Sequence, residues 1–338
     1  MKYQKVLVTG GTGFIGSHLV ERLIKNGRTV RVLALPHPFE PIENENIDII
    51  SKAGAEVVYG NLIDYETLYP AVKEIDCVFH LGAISRPMKI PKQLYYDTNV
   101  KGTENILTAS IKAGVSKIIH ISTVSVLGTS PDGHPLKENE FQPEKTDYGL
   151  SKRQGEKLAL ELYHKTKIPL TVIRPPLTYG PRCYVRKIMF DYTKKRLFPL
   201  FNGGKAKMEF CYVDNLIDAI LLAEQNEKAI GEVFNITDGQ SYSLEQVIKA
   251  IANELGVKPP LLNLPSFIGV AAGYFMEFAS AIMGKYPPFS NTAALWMSRD
   301  MNVYDCNKAK KILGYSPSVS LEEGIHKTAE WFYKRGDL

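Results

Sequence analysis

Cysteine is scarce in this chain, with four residues out of 338. Cys77, Cys183, Cys211 and Cys306 lie far apart, and none forms a Cys-x-x-Cys pair or sits at zinc-type spacing from a histidine. Neither a disulfide framework nor a metal site is expected. Reduced thiols of this kind predict a cytoplasmic protein, and no secretory pattern precedes the first strand-like run, KVLV at Lys5 to Val8. An excess of one charge is also lacking: Lys and Arg number 41 against 36 Asp and Glu, a net +5. That surplus implies no nucleic-acid partner, although it is unevenly placed. Arg182, Arg186, Lys187, Lys194, Lys195, Arg196, Lys205 and Lys207 fall in one stretch, which reads as a solvated basic face or an anion-binding surface. A clean membrane span is missing too. The apolar run from Leu264 to Met283 contains Pro265 and Glu277, so it predicts one or two buried helices, with peripheral membrane contact as the alternative. There is no internal repeat and no low-complexity tail.

The composition that remains is that of a globular protein, 44% hydrophobic and 23% charged. Apolar runs predict strands at Lys5–Thr9, Thr29–Leu33, Glu56–Gly60, Cys77–Leu81, Lys117–Ser122 and Leu170–Arg174. Helical spacing intervenes, as in Leu19, Val20, Leu23 and Ile24, in Val100–Ala113 and in Ser151–Lys165. This alternation predicts an α/β fold, a doubly wound parallel sheet of Rossmann-like type covered on both faces. Beyond about Phe190 the rhythm shifts to short segments, turn clusters and helices such as Leu244–Leu255. The expected division is a dinucleotide-binding domain over 1–180 and a smaller, mainly substrate-binding C-terminal domain over 181–338, with some segments returning to the first.

The stretch VTGGTGFIG, Val8 to Gly16, follows a predicted strand and opens a predicted helix, the context in which glycines cradle a pyrophosphate at a helix N-terminus. Gly11, Gly13 and Gly16 fit one spacing; Gly10, Gly13 and Gly16 fit a wider one. Further on stands YGLSK, in which Tyr148 and Lys152 share a helix face at i and i+4. A free tyrosine has a pKa of about 10 and is a poor base near neutrality. A neighbouring ammonium favours its phenolate, and a hydroxyl such as Thr123 can orient a substrate oxygen.

In this order TGGTGFIG, GNLID at Gly60, HLGA at His80, NVKGT at Asn99, IST at Ile121, YGLSK at Tyr148, RPP at Arg174 and YVD at Tyr212 resemble the extended short-chain dehydrogenase/reductase superfamily, of NAD-dependent epimerase/dehydratase type. The resemblance covers nearly the whole chain and selects the wider glycine spacing. It implies Tyr148 as acid/base, Lys152 as the group that lowers its pKa and holds the nicotinamide ribose, and Thr123 beside the substrate oxygen. The cofactor path it implies runs along Gly10, Gly13, Phe14, Ile15, Gly16, Ala34, Asn61, Leu62, Leu81, Gly82, Ala83, Asn99, Ser122, Pro175 and Leu177, besides Tyr148 and Lys152. Ser85, Thr123 and Arg182 are its candidate substrate contacts, and His80 is a core histidine. The second strand ends VLALP, Val32 to Pro36, without the Asp of NAD-preferring members or the Arg of NADP-preferring ones. NAD is favoured over NADP because no cation is clearly placed for a 2′-phosphate. By analogy the chain forms a homodimer through Val100–Ala113 and the YGLSK helix.

Two enzyme classes share this machinery. Where epimerases place Asn, RPPLTYG carries Leu177, and SRDMNVYDC at Ser298 to Cys306 replaces their Arg-Pro-Gly-Asp stretch. The apolar segment after Leu264, YPPF at Tyr286 to Phe289 and DCNKAKKILGY at Asp305 to Tyr315 look closer to the 3β-hydroxysteroid dehydrogenase branch. The expectation is an oxidoreductase interconverting a secondary alcohol and a ketone on a hydrophobic, sterol-like or long-chain β-hydroxy substrate. The alternatives are a nucleotide-sugar epimerase or dehydratase and a non-catalytic nucleotide sensor.

Overall fold

A computed structural model describes residues 3–38, 40–85, 90–260, 262–283 and 291–338. The first six strands are β1 (Lys5–Thr9), β2 (Thr29–Ala34), β3 (Glu56–Tyr59), β4 (Cys77–His80), β5 (Lys117–Ile121) and β6 (Leu170–Arg174). Shorter strands follow: β7 (Leu177–Tyr179), β8 (Leu200–Phe201), β9 (Lys207–Met208), β10 (Phe210–Tyr212), β11 (Val233–Asn235), β12 (Tyr242–Ser243) and β13 (Asn263–Leu264). One parallel sheet takes the order β11-β6-β5-β4-β1-β2-β3. The order reverses between β1 and β4, which leaves a crevice at their C-terminal ends.

Helices α1 (Phe14–Lys25), α2 (Pro41–Ala53), α3 (Leu68–Val72), α4 (Lys92–Tyr96), α5 (Gly102–Lys112) and α6 (Asp147–Thr166) alternate with the strands. The second half adds α7 (Tyr184–Lys194), α8 (Val213–Gln225), α9 (Leu244–Glu254), α10 (Ser266–Ile282), α11 (Asn291–Trp296), α12 (Asn307–Leu313) and α13 (Leu321–Arg335). Alternate strand residues feed two cores. Val6, Val8, Phe79, Ile119 and Ile173 join α1 and α8 on one face, while Leu7, Val78, Ile118 and Val172 join α3, α5 and α6 on the other. Continuous apolar strands are what a sheet buried on both faces requires.

Two buried ion pairs tie distant parts together. Arg28, after α1, grips Glu224 of α8 at 2.6 and 3.0 Å. Arg174 at the end of β6 grips Glu156 of α6, its Nε 2.9 Å from the carboxylate, which fixes α6 against the sheet. The sequence reading lacked α2, whose signals are Pro41 in its first turn and Gly54 closing it at φ 107°. It also started two helices late. A π-helical turn, Asp97–Lys101, leads into α5, and α6 begins at Asp147, where Thr146 caps the Gly149 N–H at 3.0 Å. From the second half β11 joins the main sheet, and α8 packs on it. Among the described residues no helix is long and apolar enough to cross a membrane.

Candidate active site

The crevice beside β1 is closed in by backbone. Gly10 has φ 67°, and a Cβ there would stand 2.7 Å from the Gly82 N. Thr9 Oγ1 fastens the two strand ends, accepting from the Gly82 N–H at 3.1 Å and bonding His80 Nδ1 at 2.7 Å. A Cβ on Gly16 would stand only 2.1 Å from the Gly10 carbonyl oxygen, so α1 and the turn touch main chain to main chain. Gly13 is roomier, with one neighbour at 3.3 Å. It is the N-cap of α1, without a capping side chain, and the first turn holds no acid. The N–H groups of Phe14, Ile15 and Gly16 therefore lack helical acceptors and face a site of positive potential. These features fit the pyrophosphate of a dinucleotide.

A cavity of about 120 Å³ extends from this turn and is lined by Gly10, Asn61, Leu62, Gly82, Ala83 and others. Its apolar walls and the Asn61 amide fit an adenosine half. Ala34 and Leu81 are not among the lining residues; Leu33, Leu35 and Glu43 are. Glu43, in the first turn of α2, is the residue that sequence reasoning missed: the helix that brings it there had not been recognised. Asn99 is placed beside this path, but its amide is engaged. Its Oδ1 accepts from the Ile84 N–H at 2.9 Å, and its Nδ2 donates to the Ile84 carbonyl and to Ser151 Oγ. It therefore latches the β4 exit to α6.

Beyond the end of β5 stand the reactive side chains. Thr123 is buried and caps a short 3-10 turn through a 3.2 Å bond from the Ser125 N–H. The Tyr148 phenol, in the first turn of α6, lies near enough for the Thr123 hydroxyl to act on it. One helical turn on, buried Lys152 donates from Nζ to the Ile121 carbonyl at 2.9 Å. The expectation that Lys152 lowers the tyrosine's pKa meets a different balance here. Burial raises the Tyr148 pKa, and the nearby Thr123 hydroxyl opposes it only in part. The ammonium is engaged by a carbonyl, and burial lowers the Lys152 pKa to about 8 against a smaller opposing pull from Glu156. The Ser122 hydroxyl, next in the chain to Thr123, is buried with no hydrogen-bond partner among the described residues. Pro175 accepts from the Val124 N–H at 3.1 Å, and Leu177 is half-buried on β7.

Other expected residues lie apart. Ser85 is exposed beyond β4. Arg182 is buried at φ 69°, bound to Glu21 and, at 3.2 Å, to His18 of α1, so its guanidinium is already committed. Arg186 on α7 is half-buried and has no carboxylate partner among the described residues, and burial lowers its pKa. His80 is a core residue, held between Thr9 and Thr103 and stacked on His120 at 5.1 Å. Burial lowers its pKa to about 3. YPPF, Tyr286 to Phe289, lies outside the described residues.

Comparison with known proteins follows this geometry. The model of the NAD dependent epimerase/dehydratase family matches residues 6–237. An N-acetyl-alpha-D-glucosaminyl-diphospho-ditrans,octacis-undecaprenol 4-epimerase of Escherichia coli O157:H7 is 29% identical over 98% of this chain and 97% of its own. The sterol-4-alpha-carboxylate 3-dehydrogenase, decarboxylating, of Mus musculus is 26% identical over 98% of this chain and 92% of its own. The structure of UDP-glucuronic acid 4-epimerase from Bacillus cereus in complex with NAD superposes with a TM-score of 0.77. It is 27% identical and covers 98% of this chain and 99% of that one.

Proposed function

The chain belongs to the NAD dependent epimerase/dehydratase family, and on that premise we propose that it is a dehydrogenase acting on a secondary alcohol or ketone of a hydrophobic substrate, with NAD preferred to NADP. The observation that carries the chemistry is the juxtaposition of Thr123 and Tyr148, with Lys152 buried one turn along α6 and held by the Ile121 carbonyl. Thr123 orients the substrate oxygen. Tyr148 takes the hydroxyl proton as the alcohol is oxidised and returns it on reduction. Lys152 holds the nicotinamide ribose and, when charged, steadies the phenolate. Bound nicotinamide supplies the hydride acceptor or donor. Lys152 is buried and Tyr148 half-buried, which limits bulk water along the proton path.

The hydrophobic substrate is supported by the apolar, half-buried Leu177 on β7 and by Arg182, whose charge is met by Glu21. The mouse sterol-carboxylate dehydrogenase adds weight. NAD is supported by Glu43 in the adenosine cavity, since a carboxylate there suits ribose hydroxyls and repels a 2′-phosphate. We extend the proposal to a dinucleotide domain over 1–180 with the remainder shaping the substrate pocket, to a homodimer through α5 and α6, and to the cytoplasm.

Arg186 favours a second reading, that of a nucleotide-sugar epimerase, because a half-buried guanidinium without a carboxylate partner suits a diphosphate. The test follows nicotinamide absorbance with 3β-hydroxysteroids and long-chain β-hydroxy acids in one panel and nucleotide sugars in the other. Net reduction of NAD by the first panel, lost at least about 100-fold in Tyr148→Phe with cofactor affinity retained, is the expected outcome. Sugar interconversion without net reduction would refute the dehydrogenase and favour the epimerase.

A further inference from the structure

The helix α10 is built inside out. A helix of a water-soluble domain turns its large apolar side chains inward. Here Gly269, Gly273 and Ser280 face the protein, and a Cβ on Gly269 would stand 2.4 Å from the Phe201 ring. The only charge of the helix, Glu277, is half-buried and accepts from Asn291 at 2.9 and 3.1 Å. The outer face carries Phe267 (71% exposed), Tyr274, Phe275 (72%), Phe278 (67%) and Ile282. Phe278 follows Tyr274 and Phe275 by four and three residues, Ile282 follows Phe278 by four, and Phe267 precedes Tyr274 by seven, two helical turns, so they share one side of the helix. At 17 residues the helix is about 25 Å long.

The chain around β8, next to the N-terminal end of this helix, is rich in cations. β13, which leads into α10, pairs with β8, and the Ser266 N–H donates to Asn202 Oδ1 at 3.1 Å. Exposed Lys195 and Arg196 precede β8 by a few residues, within about 18 Å of chain. Lys205 and Lys207, also exposed, follow it. We infer that this face docks the protein on an anionic lipid bilayer, α10 lying in the interface with its aromatic stripe among the acyl chains and the four cations against lipid phosphates. A bilayer, rather than another protein, is indicated by an outer stripe with no charged residue and by cations at its margin, the pattern of an interfacial helix. The inference does not depend on which substrate the enzyme turns over.

Co-flotation of the full chain with vesicles tests it. Binding is expected to vesicles in which about a third of the lipid is phosphatidylglycerol, weaker binding to pure phosphatidylcholine, and a decline with salt. Phe275→Ser with Phe278→Ser should weaken binding at least about tenfold. Lys195→Glu with Arg196→Glu should weaken it only for the anionic vesicles. All four positions are exposed, so cofactor affinity and thermal midpoint should hold and show that the variants are folded. Failure of the wild type to float, or flotation unchanged in the phenylalanine variant, overturns the inference. A dimer in light scattering that the phenylalanine variant splits, without vesicle binding, would mean that a second copy covers the stripe.

Discussion

Replacing Gly13 and Gly16 separately by alanine distinguishes a glycine needed by the fold from one needed by the ligand. At Gly16 the new Cβ would lie 2.1 Å from the Gly10 oxygen and 2.7 Å from the Gly11 Cα, both backbone, where real contacts almost never fall below 3.0 Å. Main chain must therefore move by close to 1 Å, and overpacking of this kind costs about 2–3 kcal/mol. For a chain of 338 residues the thermal midpoint should fall by about 3–4 °C, and NAD affinity should fall with it because the helix N-terminus is displaced. At Gly13 the conformation, φ −72° and ψ 176°, is open to alanine, and the sole contact is at 3.3 Å. A lower unfolded-state entropy, worth about 0.4–1 kcal/mol, offsets the slightly poorer cap. Gly13→Ala should melt within about 1 °C of wild type yet bind NAD at least about tenfold more weakly, since its methyl enters the space proposed for the pyrophosphate. Fluorescence titration with NAD and a melt of each free protein decide it. Unchanged NAD affinity in Gly13→Ala, or an unchanged midpoint in Gly16→Ala, would refute the reasoning.

Glu43→Gln should raise the NADP-to-NAD ratio of kcat/KM by about tenfold, and an unchanged ratio would remove Glu43 from cofactor choice. Burial raises the Glu209 pKa to about 7, and one of its oxygens has no partner. The folded protein thus holds a proton that the unfolded chain releases near 4.5, and stability falls as pH rises from about 4.5 to 7. Glu209→Gln should stabilise the protein at pH 8, by up to about 3 kcal/mol, and change little at pH 4; equal shifts at both would exclude the charge as the cause. Lys152 has the opposite sign of pH dependence. Its pKa of about 8 lies below that of an unfolded lysine, so the unfolded chain binds more protons between about pH 8 and 10.4 and stability rises across that window. Lys152→Met should flatten the rise, as read from denaturant midpoints, and an unaltered slope would assign it to another group.

Much of the sheet was legible because its strands are largely apolar and several are followed by a helical period; β1 and β6 were read to the residue. The start of α6 was not, since it depends on the Thr146 cap and on Glu144, whose carboxylate accepts from the Thr146 N–H at 2.7 Å. Polar residues before an apolar run carry that signal only when the cap is sought. The wider glycine spacing found physical reasons that spelling alone does not provide. Gly10 needs a positive φ and Gly16 needs a bare Cα, while Gly11 is restricted by the Val32 side chain at 2.7 Å. Arg182 shows the limit: it follows a turn beside the expected cleft, but its partner Glu21 is 161 residues away, on α1.

The same limit governs the reactive groups. Spacing by i and i+4 puts Tyr148 and Lys152 on one side of α6, and a charge-pair argument then lowers the phenol pKa. It omits β5, whose Ile121 carbonyl engages the ammonium, and it omits burial, which raises the phenol and lowers the lysine. Both shifts favour the neutral forms, so a hydroxyl entering beside Thr123 meets a protonated tyrosine at neutral pH. That state is ready to give a proton to a ketone, whereas oxidation of an alcohol needs the phenolate and so a charged Lys152 turned toward it. Motifs therefore name the candidate side chains. The strand ends packed against α6 determine which protonation state each direction starts from.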